Sequence, residues 1–155
     1  MKLRLAFYGD DFTGSTDALE ALELAGIRSR LFLHPPSPAE LAEFPGLEAA
    51  GVAGGSRTFT PAEMDAQLTP IFEALAALGA PLIHYKVCST FDSSPTTGSI
   101  GRAIEIGRAV TGARPAAVLA GAPALGRYCA FGHLFARAGA ARPVHRIDRH
   151  PTMSR

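Results

Sequence analysis

A chain of 155 residues is long enough for one domain with a real core. With 47% apolar and 19% charged residues and a net charge of +1, it has an ordinary globular composition and no strong field drawing it to nucleic acid or an anionic membrane. No apolar run approaches the ~18 residues of a membrane span, and the opening MKLRLAFYGDD holds too few apolar residues for a signal-peptide core, so a cytoplasmic protein is expected.

In chain order, Leu3–Tyr8 reads as a buried strand. Ser15–Ala25 reads as a helix, with Leu19, Leu22 and Ala25 at helical spacing and Gly26 as its stop. Ile27–Leu33 suits a second strand. HPPSPAELAEF is a turn and a short helix, capped by Ser37 with Glu40 three residues on. Gly46–Gly55 is a third strand ending in a glycine pair. Thr60 followed by Pro61 opens a helix that runs to about Leu78 and stops at Gly79. Pro81–Val87 is a fourth strand, Thr97–Thr111 a helix closed by Gly112, and Pro115–Ala120 a fifth strand. Val144–Ile147 is a candidate sixth. Alternation with connections of this length implies parallel pairing and right-handed crossovers. The expectation is a single domain over 1–155, a three-layer α/β/α fold with a mainly parallel sheet of about five to six strands.

Ligands of open parallel sheets bind at the carboxyl ends of the strands. The segments that follow the strands here are GDDFTGS, GGSRTF, KVCSTFDSSPTTGS and GAPALGRY. All are polar or glycine-rich, and all should lie along one edge. In the first, Gly14 and Ser15 sit where a helix begins and offer N–H groups to an anion. Asp10 and Asp11 have three readings: hydrogen bonds to ligand hydroxyls, oxygen ligands for Mg²⁺, or a helix cap beside a solvated carboxylate. Arg57 has two readings, a bidentate grip on a carboxylate or a surface arginine paired with a helix, and Arg127 is a candidate second cation. Lys86 falls inside an apolar strand, where an unpaired charge is costly, so it is expected to point out of the strand end at a ligand. Ser89 and Thr90 begin a hydroxyl-rich loop, in which Thr96 or Thr97 should cap the next helix. The full set of expected ligand contacts is Thr13, Gly14, Ser15, Asp17, Ser56, Arg57, Lys86, Ser89, Thr90 and Arg127. It suits a small polyhydroxylated anion.

Several chemistries find no support. Cys88 and Cys129 lie far apart without metal spacing, so reduced thiols are expected rather than a disulfide. The five histidines form no zinc pair, and no metal-ligand set is expected. There is no Walker A loop, no dinucleotide fingerprint and no nucleophile elbow.

At GDDFTGSTD (9–17), GGSRTF (54–59), KVCSTFDSSPTTGSIGRA (86–103), APALGRYCAFGHLFAR (122–137) and RIDRHPTMSR (146–155), the chain resembles the N-terminal domain of the four-carbon acid sugar kinase family. The resemblance implies ATP-dependent phosphorylation of a sugar acid such as a threonate, an erythronate or a 3-oxo-tetronate. It places the sugar acid on this domain and ATP with Mg²⁺ on a separate C-terminal domain that this sequence does not contain. Neither ATP nor Mg²⁺ is expected to bind this domain tightly alone. Asp10 and Asp11 then become catalytic candidates, taking the proton of the acceptor hydroxyl. Where many relatives carry Asp-Ser-Thr-x-Arg-Gly, this chain has Cys88 in place of the Asp and Asp92 in place of the Arg, which points to a different acid. Expected partners are a small sugar acid, the C-terminal domain and, as an option, a second copy. Nucleic acid and membrane are not expected. Two alternatives stay open: a non-catalytic binding or interaction protein (some relatives carry the label of a type III Hrp-dependent effector), and a lyase or aldolase forming a Schiff base at Lys86.

Overall fold

The computed structural model describes residues 3–149, other than 138, 140 and 141. The sequence motif RIDRHPTMSR therefore lies partly outside the described residues. Strands β1 (Leu5–Gly9), β2 (Ser29–Phe32), β3 (Ala49–Ala53) and β4 (Leu82–Lys86) form a parallel sheet in the order β2-β3-β1-β4. Helices α1 (Phe12–Leu24), α2 (Pro38–Ala42), α3 (Pro61–Ala77) and α4 (Ile100–Thr111) connect them or follow. The class is α/β, as the alternation implied.

Side chains of β1 alternate between the two faces. Ala6 and Tyr8 join Val52 of β3 in a core with Met64, Leu68, Phe72 and Leu75 of α3 and Ala103 and Ile106 of α4. Phe7 and Gly9 face the other way. The Phe7 ring lies over Gly51 of β3, where a Cβ would fall 2.0 Å from the ring. A Cβ on Gly9 would fall 1.9 Å from the Ser15 hydroxyl oxygen. Glycine at this position is what lets α1 close onto the tip of β1.

The helix starts follow local capping chemistry. Ser37 with Glu40 forms the reciprocal box read from the sequence, and Thr60, read as a cap before Pro61, forms a second box with Glu63. Helix α1 begins three residues earlier than periodicity suggested, because Asp11 caps it. Helix α4 begins three residues later, because Ser99 and not Thr96 or Thr97 is its cap. Among the described residues no helix is long and apolar enough to cross a membrane.

Two strand expectations need correction. Pro115–Ala120 forms no strand, and Val118 and Leu119 are exposed. An apolar run becomes a strand only when a neighbour pairs with it and a layer covers it, and neither is present among the described residues. The parallel sheet therefore has four strands, not five or six. Val144–Arg146 is a strand, but it belongs to a separate antiparallel ribbon. That ribbon is β5 (Arg127–Ala130), β6 (His133–Arg137) and β7 (Val144–Arg146). Its first turn is built on Phe131 and Gly132, with φ of 52° and 76°, the left-handed pair of a tight two-residue hairpin.

The Gly9 contact gives a direct check. Gly9→Ala should destabilise the fold by about 1–3 kcal/mol through overpacking, measured by urea denaturation. An unchanged midpoint would mean that α1 does not press on β1.

Candidate functional site

The segments after β1, β3 and β4 meet at the carboxyl edge of the parallel sheet, and Asp10 is where they join. Its backbone N–H donates to Lys86 O (2.9 Å), and its carbonyl accepts from Arg57 N (3.1 Å). Its carboxylate Oδ1 accepts from Cys88 N (2.8 Å). The residue is only 2% exposed. It ties the β1 tip to the two neighbouring loops. Burial, and then the charge of Asp11, push its pKa from the usual 3.8 up to about 6, against the Cys88 N–H and the nearby Arg57 and Lys86 charges.

Asp11 has a double duty. Its Oδ1 accepts from Gly14 N (2.6 Å), capping α1. Its Oδ2 pairs with the Arg57 guanidinium at 3.0 Å, and both side chains are mostly buried. The cap also corrects the expected anion seat: Gly14 N is spent on the Asp11 side chain and Ser15 N on the Asp11 carbonyl (3.0 Å). Ser15 is fully buried and its hydroxyl donates to the same carbonyl. Neither residue is available to a ligand in this arrangement. Thr13 is exposed on the first turn of α1, and Asp17 lies half-buried one turn further.

Lys86 ends β4 as expected. Its Nζ donates to Val87 O (2.8 Å) and lies 3.4 Å from where a Gly14 Cβ would stand, over the start of α1. Arg57, Lys86 and Asp11 are thus drawn to one place. Ser56 is fully buried and shares a 2.8 Å hydrogen bond with the Tyr85 hydroxyl.

The loop after β4 is less available than its composition suggests. Ser93 accepts from Ile100 N, Ser94 closes a turn with Thr97, and Ser99 caps α4. These hydroxyls serve the backbone. Ser89 and Thr90 are half-buried, and Thr90 Oγ1 is shielded from solvent with no hydrogen-bond partner among the described residues. Phe91 holds a φ of 55°, a strained conformation for a bulky residue. Arg127 reaches this loop from β5: its Nε donates to Ser89 O (3.0 Å) and its Nη1 to Leu125 O (2.9 Å). It tethers the ribbon to the site loop. Cys88 and Cys129 are unpaired.

Mg²⁺ does not fit Asp10 and Asp11 as they stand. A hard cation needs several free oxygens, and these carboxylates are committed to Cys88 N, Gly14 N and Arg57. Sequence reasoning missed the hydroxyls of Tyr8 and Tyr85. The available signal was a tyrosine in each of two apolar strand runs, since a phenol turned toward the core needs a partner.

A cation-bearing edge of an open α/β sheet, with a capped helix start beside it, defines a small-molecule binding domain. The chain belongs to the family described as a sugar-binding N-terminal domain, whose model matches residues 5–155. It is 54% identical over 153 residues to the 3-oxo-isoapionate kinase of Paraburkholderia graminis, covering 99% of this chain and 32% of that protein. It is 34% identical over 135 residues to the 3-oxo-tetronate kinase of Methylobacterium radiotolerans, covering 87% of this chain and 31% of that protein. The chain thus spans about a third of the length of these curated relatives. A putative tRNA synthase from Salmonella typhimurium LT2 shares the fold, with a TM-score of 0.83 at 24% identity over 99% of this chain and 35% of that one. A Bordetella bronchiseptica domain of unknown function, solved with bound citrate as a domain-swapped dimer, matches with a TM-score of 0.71 at 25% identity over 96% of this chain and 35% of that one.

The buried Asp10 gives a pH signature. A carboxyl whose pKa rises on folding holds its proton more tightly in the native state. Its charged form therefore costs stability, a cost that grows as pH rises from the unfolded value near 3.8 through about 6. Asp10→Asn keeps the acceptor for Cys88 N–H and removes the charge. It should be more stable than the parent at pH 8, by up to about 3 kcal/mol, with the difference shrinking toward pH 4. Melting temperatures of both proteins across this range check it, and a constant difference would contradict the assignment.

Proposed function

We propose that this chain is the sugar-acid-binding part of an ATP-dependent kinase that phosphorylates a hydroxyl of a 3-oxo sugar acid. The observation that carries the reading is the Arg57–Asp11 pair beside Lys86 at the carboxyl edge of the sheet, in a chain of the sugar-binding family. The two cations supply the charge to hold a carboxylate, and Arg57 supplies the planar fork for bidentate contact. Thr13, Asp17, Ser89 and Thr90 are assigned to the hydroxyls of the acid, a reading supported by the hydrogen-bonding capacity of their side chains. Asp11, rather than the buried Asp10, is the carboxylate to take the acceptor proton. ATP and Mg²⁺ are held by groups of the longer protein, because the adjacent carboxylates Asp10 and Asp11 already serve Cys88 N, Gly14 N and Arg57.

The favoured acid is a 3-oxo-isoapionate. Identity to the kinase named for that substrate is 54% over nearly the whole chain, against 34% for a 3-oxo-tetronate kinase. Cys88 and Asp92 in the site loop accord with an acid unlike the tetronates. We place the enzyme in the cytoplasm on its metabolic class. We also propose self-association, by analogy with the domain-swapped dimer of the Bordetella protein.

Three measurements test the reading. In a thermal-shift titration, a sugar acid should raise the melting temperature of this chain and Mg-ATP should not. A shift with Mg-ATP alone would reverse the assignment. Arg57→Ala should weaken acid binding by about 10- to 150-fold, the range for a lost charge-assisted hydrogen bond, by calorimetry. In the full-length enzyme Asp11→Asn should abolish turnover, and near-normal activity would remove Asp11 from the mechanism.

A further inference from the structure

Three hydroxyl groups gather beneath the Arg57 turn, those of Tyr8 and Ser56 on buried residues and that of Tyr85 on a partly buried one. Tyr8 of β1 and Tyr85 of β4 are register neighbours, with stacked rings 5.8 Å apart. Both rings project into the core shared with α3 and α4. A phenylalanine at either position would fill that space as well, so packing does not account for the hydroxyls. They meet one target. The Tyr85 hydroxyl shares the 2.8 Å hydrogen bond with Ser56 Oγ. The Tyr8 hydroxyl sits against the Ser56 side chain and the N–H groups of Gly55 and Ser56. Gly54 makes room for it, since a Cβ there would fall 2.0 Å from the Tyr8 oxygen.

The residue that follows is Arg57. Its N–H is fixed on Asp10 O. Its carbonyl is closely backed by Gly98, whose missing side chain would fall 2.3 Å away. The turn that launches the guanidinium toward Asp11 is therefore held from below by phenols and from the sides by backbone.

We propose that Tyr8, Ser56 and Tyr85 form a positioning network for Arg57, and that this network sets the affinity of the site for the carboxylate of its ligand. The inference rests on Arg57 being the carboxylate-binding cation. Ser56 and Tyr8 are buried from solvent, so the network acts only through the direction it gives the guanidinium. A misdirected fork loses bidentate geometry and keeps only a diffuse charge.

The test uses the full-length protein that carries this chain, with D-erythronate and 3-oxo-isoapionate as probes in calorimetry and in ATP-dependent turnover. Four forms are compared: the parent, Tyr85→Phe, Arg57→Lys, and the double variant. Tyr85→Phe should weaken acid binding by about 5- to 10-fold and raise KM by a similar factor, with kcat held within about twofold. In the Arg57→Lys background the same change should cost less than about twofold, because no planar fork remains to be aimed. Tyr8→Phe should behave like Tyr85→Phe, which guards against a variant that merely folds poorly. Equal losses in both backgrounds, or a lowered melting temperature with unchanged affinity, would overturn the positioning role. If the parent binds neither acid, or Arg57→Lys binds as the parent does, the reading of Arg57 fails and the inference falls with it.

Discussion

The site depends on Asp10. One residue makes three hydrogen bonds, to Lys86 O, Arg57 N and Cys88 N, and these join three strands at their carboxyl ends. Placing a carboxylate at 2% exposure is unfavourable by itself, as its raised pKa records. The arrangement persists because the backbone N–H of Cys88 would otherwise be an unmet donor in a half-buried loop. The cost of burying Asp10 is the cost of holding the loops after β3 and β4 in register.

Once those loops are fixed, the electrostatics of the edge follow. Asp11, next in sequence, is forced outward by the strand tip and becomes both the cap of α1 and the partner of Arg57. Arg57 is thus already paired before any acid arrives. On the proposed reading a ligand carboxylate would compete with Asp11 for the guanidinium, with Lys86 over the helix start as a second positive charge. Selection would then be a competition between two carboxylates, one of the protein and one of the ligand, and would penalise weakly charged ligands.

Much of the fold was legible because local rules act alone there. The Ser37–Glu40 box, the Thr60 cap before Pro61 and the apolar run of β1 need no tertiary information. Pro115–Ala120 was misread because apolarity states a preference for burial and names no partner. The ribbon was missed because its turn carries Phe131 before Gly132, where the usual sequence signal is Asn-Gly or Asp-Gly. In the site, residue type located Arg57, Lys86 and the aspartates. It did not separate Asp10 from Asp11, adjacent residues of identical chemistry whose roles are divided by strand geometry. It also overcounted hydroxyls, since Ser93, Ser94 and Ser99 are consumed by backbone groups within a few residues.

The ribbon of β5, β6 and β7 is joined to the parallel sheet's body through an exposed stretch with no regular structure over 112–121. Its side-chain hydrogen bond back to that body runs from Arg127 Nε to Ser89 O, in the loop that also contains Cys88. The guanidinium is therefore a link between the ribbon and the site loop. The carbonyl it holds lies two residues from the strained φ of Phe91 and one from the amide anchored on Asp10. A change in where the ribbon sits would reach the site first through that one carbonyl.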